Sequence, residues 1–319
     1  MSKLAPELAP VLAGLPPWDV FADLPATRAR LRAVLAGSPQ QNDPRMVIQD
    51  TVVHGPDFHQ IPVRVYTPTQ RTAPHPGVVY MHGGAFVSGD LDTGDANCRD
   101  LCAGSGAVVV SVQYRLAPEH PFPAGIEDCY ATLVWLREHA PDLQVDRTRL
   151  AVAGRSAGGC IAAGLTMLAR DRGGPPLAYQ LLLVPALDNR ADTPSARAIT
   201  DPRVINRQTV LDMWPAYLGD ADEAIPAAVP GRAADLSRLP PAFVLTCELD
   251  PLRDEGIDYA RRLIAAGVST ELHLIPGAFH LFEGFAPNST LSRRTTDIWV
   301  RATEIALGAH PADDAAPIR

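Results

Sequence analysis

Short apolar runs alternate with amphipathic ones along most of this chain. Gly77-Val78-Val79-Tyr80-Met81 and the runs 107–112, 150–153, 180–184 and 242–247 carry almost no polar side chains. Runs this short with no wet face predict strands covered on both sides. Residues around 93–103, 124–139, 157–171, 207–218 and 253–266 repeat their apolar positions at helical spacing. Strand–helix alternation of this kind predicts the α/β class: a mostly parallel central sheet with helices on both faces. The chain turns extended from Val47, and Pro62-Val63-Arg64-Val65-Tyr66 alternates like a strand with one solvated face. A last strand is predicted over 270–275 and a final helix over 291–307.

Two stretches stand outside the alternation. Leu4, Leu8, Val11 and Leu12, then Leu31, Val34 and Leu35, predict two short amphipathic helices near the N-terminus. Residues 188–239 are polar and irregular, with one helix that carries Met213 and Trp214. The expected organisation is an N-terminal helical cap segment over 1–45, a main α/β domain over 46–309 with a cap-contributing insertion at about 188–239, and a frayed tail over 310–319.

Composition narrows the partners. The 319 residues carry a net charge of −8, which argues against nucleic acid or an anionic membrane as partner. Five cysteines, at 98, 102, 129, 160 and 247, form no C-x-x-C pair, and no H-E-x-x-H occurs. An odd cysteine count with no recognisable secretion signal predicts reduced thiols and a cytoplasmic location, and no metal site is expected. Pro6, Pro10, Pro16 and Pro17 interrupt the N-terminal stretch. No run approaches the roughly 18 apolar residues of a membrane span.

The chemistry centres on Gly154-Arg155-Ser156-Ala157-Gly158, between the apolar run 150–153 and the helical pattern that follows. A G-x-S-x-G between strand and helix places its serine on a sharp, strained corner, with the hydroxyl lifted off the sheet. A serine nucleophile needs a base, an acid that orients it, and donors for the oxyanion. In sheets of this class the partners follow in the order Ser, acid, His. Asp250 comes just after the run 242–247, at a strand's C-terminal end, where catalysis concentrates in open α/β sheets. Asp250-Pro251 also fits a helix N-cap followed by proline, and Glu248, Asp254 and Glu255 compete for the role of acid. His280 lies in Pro276-Gly277-Ala278-Phe279-His280, expected to be a turn past the last strand, whereas His273 sits inside that strand.

His82-Gly83-Gly84-Ala85 follows the strand that ends at Met81. Its glycines can aim backbone N–H groups of Gly83 and Gly84 at a developing alkoxide, with Ala157 N–H as third donor. His82 is expected to fix this loop by side-chain hydrogen bonds. Phe86, Met213, Trp214 and Leu281 are the candidate lining of the substrate pocket.

These pieces, together with Tyr114-Arg115-Leu116-Ala117-Pro118-Glu119-His120-Pro121-Phe122-Pro123-Ala124 and Asp250-Pro251-Leu252-Arg253-Asp254-Glu255-Gly256, resemble the hormone-sensitive-lipase-like branch of the α/β-hydrolases, specifically its bacterial short-chain carboxylesterases. The resemblance covers about residues 45–305. It implies an α/β-hydrolase fold with a small helical cap, Asp250 as the acid among its neighbours, a small-molecule ester as substrate, no cofactor, and pairing into a homodimer. Ester hydrolysis through an acyl-enzyme is the expected activity. An acyltransferase or amidase with the same triad is the enzymatic alternative, and a small-molecule binding protein of this fold the non-catalytic one. Plant hormone receptors that resemble the fold lack the histidine that stands here as His280. Three positions depart from the branch. Arg155 replaces the usual Asp before the nucleophile, Ala85 replaces a third glycine, and Leu281 replaces the glycine that often follows the histidine. Arg155→Asp is expected to leave an active esterase with an altered substrate range.

Overall fold

Eight strands form one sheet in the order β1-β2-β4-β3-β5-β6-β7-β8. They are β1 (Met46–His54), β2 (Gln60–Pro68), β3 (His75–Met81), β4 (Val108–Val112), β5 (Val145–Arg155), β6 (Tyr179–Leu183), β7 (Ala242–Leu249) and β8 (Thr270–Phe279). The structure is a computed structural model that describes residues 4–36 and 43–308. The first two strands pair antiparallel, β2 runs antiparallel to β4, and every later pairing is parallel. Ten helices surround the sheet among the described residues: α1 (Ala9–Gly14), α2 (Leu24–Ala36), α3 (Asp95–Ser105), α4 (Ala124–Glu138), α5 (Ala157–Asp171), α6 (Pro194–Ala198), α7 (Arg207–Leu218), α8 (Arg253–Ala265), α9 (Phe282–Phe285) and α10 (Thr290–Gly308). The tail expected over 310–319 lies outside the described residues.

The period of two along each strand divides the core between two faces. On β3, Val79 and Met81 join a cluster with Leu133 of α4, Ile161 of α5 and Leu263 of α8. Val78 and Tyr80 point the other way, into a cluster with Leu101 of α3 and Trp299 of α10. Every residue of β3, β4 and β6 is buried, which is why these strands read as unbroken apolar runs.

The structure differs from the sequence pattern at the margins. A hairpin precedes the sheet centre: β1 and β2 are joined across Gly55–His59, a turn whose reversal leaves no apolar signature. The fifth strand starts at Val145, ahead of the apolar run, because its first residues are mostly polar and solvated. The eighth continues through Pro276 and Gly277 to Phe279, with its register against β7 broken between Cys247 and Leu249. So the stretch expected to be a turn is an irregular strand end, and His280 follows it directly. Helix α1 starts at Ala9, which places Pro10 in the first turn, where no N–H is required.

The junction of β5 and α5 fixes the centre of the molecule. A Cβ on Gly158 would stand 2.1 Å from the Met81 carbonyl oxygen and 2.4 Å from that of His82. A Cβ on Gly154 would stand 2.0 Å from the Gly158 carbonyl oxygen. Both obstacles are backbone of packed elements, which cannot yield as a flexible side chain would. Gly158→Ala should therefore cost about 3 kcal/mol or more, at or above the upper end of ordinary overpacking. Urea midpoints test this, and a variant as stable as the parent would contradict it.

Candidate active site

Ser156 occupies the corner between β5 and α5 at φ 57°, ψ −120°. An L-residue holds a positive φ only where its surroundings over-determine it. Here three backbone hydrogen bonds do so. Ser156 N–H donates to the Leu183 carbonyl at 2.9 Å, and the Ser156 carbonyl accepts from Cys160 and Ala186 N–H, each at 3.1 Å. The neighbouring strand β6 and the segment after it thus lock the corner in place. The sequence-based reading of a strained strand–turn–helix corresponds to this geometry.

Ser156, His280 and Asp250, the last chosen among its neighbours by the resemblance, meet at that corner. The Ser156 hydroxyl donates to His280 Nε2 at 2.9 Å. His280 Nδ1–H donates to Asp250 Oδ2 at 2.6 Å. Asp250 and His280 are each 1 % exposed, so the chain of bonds is shielded from water. Asp250 combines its bond to His280 with the cap-like role that Asp250-Pro251 suggested: its second oxygen accepts from Leu252 N–H at 2.9 Å and its carbonyl from Arg253 N–H at 3.2 Å, and Leu252 already has helical φ and ψ ahead of α8. The other carboxylates brace loops. Glu248 accepts from Gly277 N–H at 2.7 Å, Asp254 from Ser195 N–H at 2.7 Å, and Glu255 from Leu187 N–H at 2.7 Å. Burial pushes the Glu255 carboxyl well above the usual carboxylate range.

Next to the serine, the loop after β3 folds back on itself. Gly84 has φ 136°, and a Cβ there would lie 2.0 Å from the Ser88 carbonyl oxygen. Ala85, where the branch has glycine, still adopts a left-handed φ of 52°. A Cβ on Gly83 would come within 3.4 Å of Ser156 Cβ, which sets the loop against the hydroxyl. Among the described residues, the N–H groups of Gly83, Gly84 and Ala157 have no protein acceptor. The last of these opens α5 and carries the partial positive charge of a helix N-terminus. His82 is hydrogen-bonded within this loop. Its Nδ1–H donates to the Gly83 carbonyl at 2.8 Å, and its ring stacks on Tyr114 at 4.4 Å. The Tyr114 hydroxyl donates to the His82 carbonyl at 2.8 Å, a prop whose role the sequence pattern did not reveal.

Phe86, Met213 and Trp214 are all buried in the core cluster on the α4/α5 face, and Phe86 and Trp214 are in ring contact. Tyr217 joins them, stacked on Phe86 at 3.9 Å, with Trp214 at 5.5 Å from Phe86. Tyr217 lies one helical turn beyond Trp214, and that spacing was its only sequence signal. Leu281 does not join them. It is half-buried at φ 59° and packs with the α3/α10 cluster on the other face. Among the described residues, no group of three or more His, Cys, Asp or Glu side chains could hold a metal ion. No helix there is long and apolar enough to cross a membrane.

Burial holds His82 down from its ordinary 6.5 to about 4. Within that window the unfolded chain takes up a proton that the folded chain refuses. Stability is therefore unaffected by His82 above the upper value and falls with pH below it, by about 1.4 kcal/mol per pH unit. His82→Gln should show a shallower decline of urea midpoint over the same window. Equal slopes would contradict the assignment.

A family profile described as the α/β-hydrolase fold matches residues 78–284. The esterase LipI of Mycobacterium tuberculosis is 43% identical over 266 residues, 82% of each chain. The carboxylesterase NlhH of the same organism is 43% identical over 290 residues, 88% of this chain and 90% of the relative. Among solved structures, a bacterial heroin esterase superposes with a TM-score of 0.90 at 39% identity, over 96% of this chain and 98% of its own. The elbow at Ser156, the parallel sheet and these relatives agree: the chain belongs to the α/β-hydrolase family, in its hormone-sensitive-lipase-like carboxylesterase branch.

Proposed function

We propose that this protein is a serine carboxylesterase that hydrolyses small, short-chain acyl esters through an acyl-enzyme. The observation that carries the reading is a single imidazole, His280, bonded at 2.9 Å to Ser156 and at 2.6 Å to Asp250. In the first half-reaction His280 Nε2 takes the Ser156 proton as the oxygen attacks the acyl carbon. The N–H groups of Gly83, Gly84 and Ala157 receive the charge that forms on the carbonyl oxygen. His280 then protonates the leaving alcohol, and in the second half-reaction it activates water against the acyl-serine. Asp250 accepts the Nδ1–H and holds the ring with Nε2 facing the serine. No step calls on a metal or an organic cofactor.

Phe86 follows the oxyanion loop directly in the chain, and its packing against Trp214 and Tyr217 supports a preference for small acyl groups. The N-terminal segment and the insertion act together as the cap over the catalytic domain. In support, Trp18 N–H donates to the Pro202 carbonyl at 2.9 Å. Arg28 of α2 donates to the Val87 carbonyl at 2.7 Å, just past the oxyanion loop, and to Glu119 at 2.7 Å. Five buried, unpaired cysteines support a cytoplasmic location. The homodimer implied by resemblance has a candidate face in the edge strand β8, where Leu272 and Leu274 are exposed.

Ser156→Ala and His280→Ala should each lower kcat on an aryl acetate by about 10⁴-fold or more. A fluorophosphonate should label the parent and not Ser156→Ala. Near-parental turnover by either pure variant would overturn the triad. Adding alcohols separates hydrolysis from acyl transfer: ester products that outpace the free acid would favour the acyltransferase alternative.

A further inference from the structure

The residue before the nucleophile is engaged in an ion pair with the segment that follows the base. Arg155 Nη2 donates to Glu283 Oε2 at 2.6 Å, and the two side chains are only 11% and 13% exposed. Arg155 Nη1 reaches Asn97 Oδ1 of α3 at 3.3 Å. Arg155 shares strand parity with Ala151 and Ala153, so its side chain lies on the α3/α10 face, opposite α5. Glu283 is the only charged residue of α9 and stands three positions after His280. Leu281, at φ 59° and ψ 25°, makes the reversal that brings α9 back toward the end of β5.

Two adjacent residues of one chain segment therefore grip two nearby residues of another. Ser156 meets the His280 imidazole, and Arg155 meets Glu283. The first link is a neutral hydrogen bond that must break and reform during turnover. The second is charge-assisted, stronger, and takes no part in proton transfer. It lies beside buried Tyr80 and Cys247, both of which feel the two charges. Low polarity there strengthens the attraction and makes either charge costly to leave alone.

We propose that Arg155 is a positioning residue: its ion pair with Glu283 holds the loop that carries His280 in register with Ser156. The inference rests on the triad reading above. It also revises what the sequence suggested for Arg155→Asp. That change would set a second carboxylate against Glu283, so it requires a compensating change at Glu283 to remain active.

The test compares Arg155→Met, Arg155→Lys, Glu283→Gln and the charge swap Arg155→Glu/Glu283→Arg on an aryl acetate, with thermal midpoints and Ser156→Ala alongside. Positions displaced by about 1 Å cost on the order of 100-fold in rate. Arg155→Met and Glu283→Gln should therefore lower kcat by about 10- to 100-fold with KM held within about twofold. Arg155→Lys and the charge swap should recover a large part of that loss. Glu283→Gln keeps the size and a hydrogen-bonding oxygen, so it reports on the charge even if Arg155→Met unfolds. Parental kcat in Glu283→Gln, a loss that falls on KM alone, or no recovery in both the lysine and swap variants would overturn the proposal. Substantial turnover in Ser156→Ala would instead bring down the triad reading, a result distinct from these.

Discussion

A serine held at φ 57°, ψ −120° is the constraint around which this molecule is organised. The conformation is unfavourable for a side-chain-bearing residue and survives only because the surroundings leave no alternative. Strand β6 accepts its N–H, the start of α5 and the segment after β6 donate to its carbonyl, and glycines on either side let the helix close against the carbonyls of residues 81 and 82. The parallel sheet supplies these neighbours at fixed spacing. Loosening any of them lets the serine relax into ordinary space and swing its hydroxyl away from the imidazole.

Around that corner each loop is braced by side-chain hydrogen bonds. Asp250 divides its oxygens between His280 and the backbone of the turn that carries it. Glu248 ties the same strand end to Gly277, just before the histidine. His82, kept neutral by burial and stacked on Tyr114, holds the loop that packs against the serine. A charged His82 would carry one more proton than its buried site can satisfy. Preorganisation of this kind removes reorganisation from the reactive step, which is where electrostatic catalysis gains most.

The sequence exposed what has a local signature. Strands β3, β4 and β6 were legible because both their faces are apolar; strand ends and chain order marked Ser156 and His280 as candidates, whereas Asp250 stood apart from Glu248, Asp254 and Glu255 only through the family resemblance. The β1–β2 hairpin was not resolved, since Val47 and Val52 are exposed and β1 is mostly wet. The start of β5 and the short helix α9 carry no periodic pattern. Partnerships across long separations were equally silent. Arg155 and Glu283 are 128 positions apart and Arg28 and Glu119 are 91 apart, and nothing near either member announces the other. Arg155 stood out only as a departure from the resembling branch, and its partner became visible in three dimensions.

The central claim is that an acyl group passes through one hydroxyl, that of Ser156. Rapid acid quenching during turnover of an aryl acetate, followed by peptide mass mapping, tests it most directly. The account predicts an acetyl group on the peptide that contains Ser156, with fragment ions that place it on that side chain. An acetyl group that builds up on any other residue at the rate of turnover would contradict it.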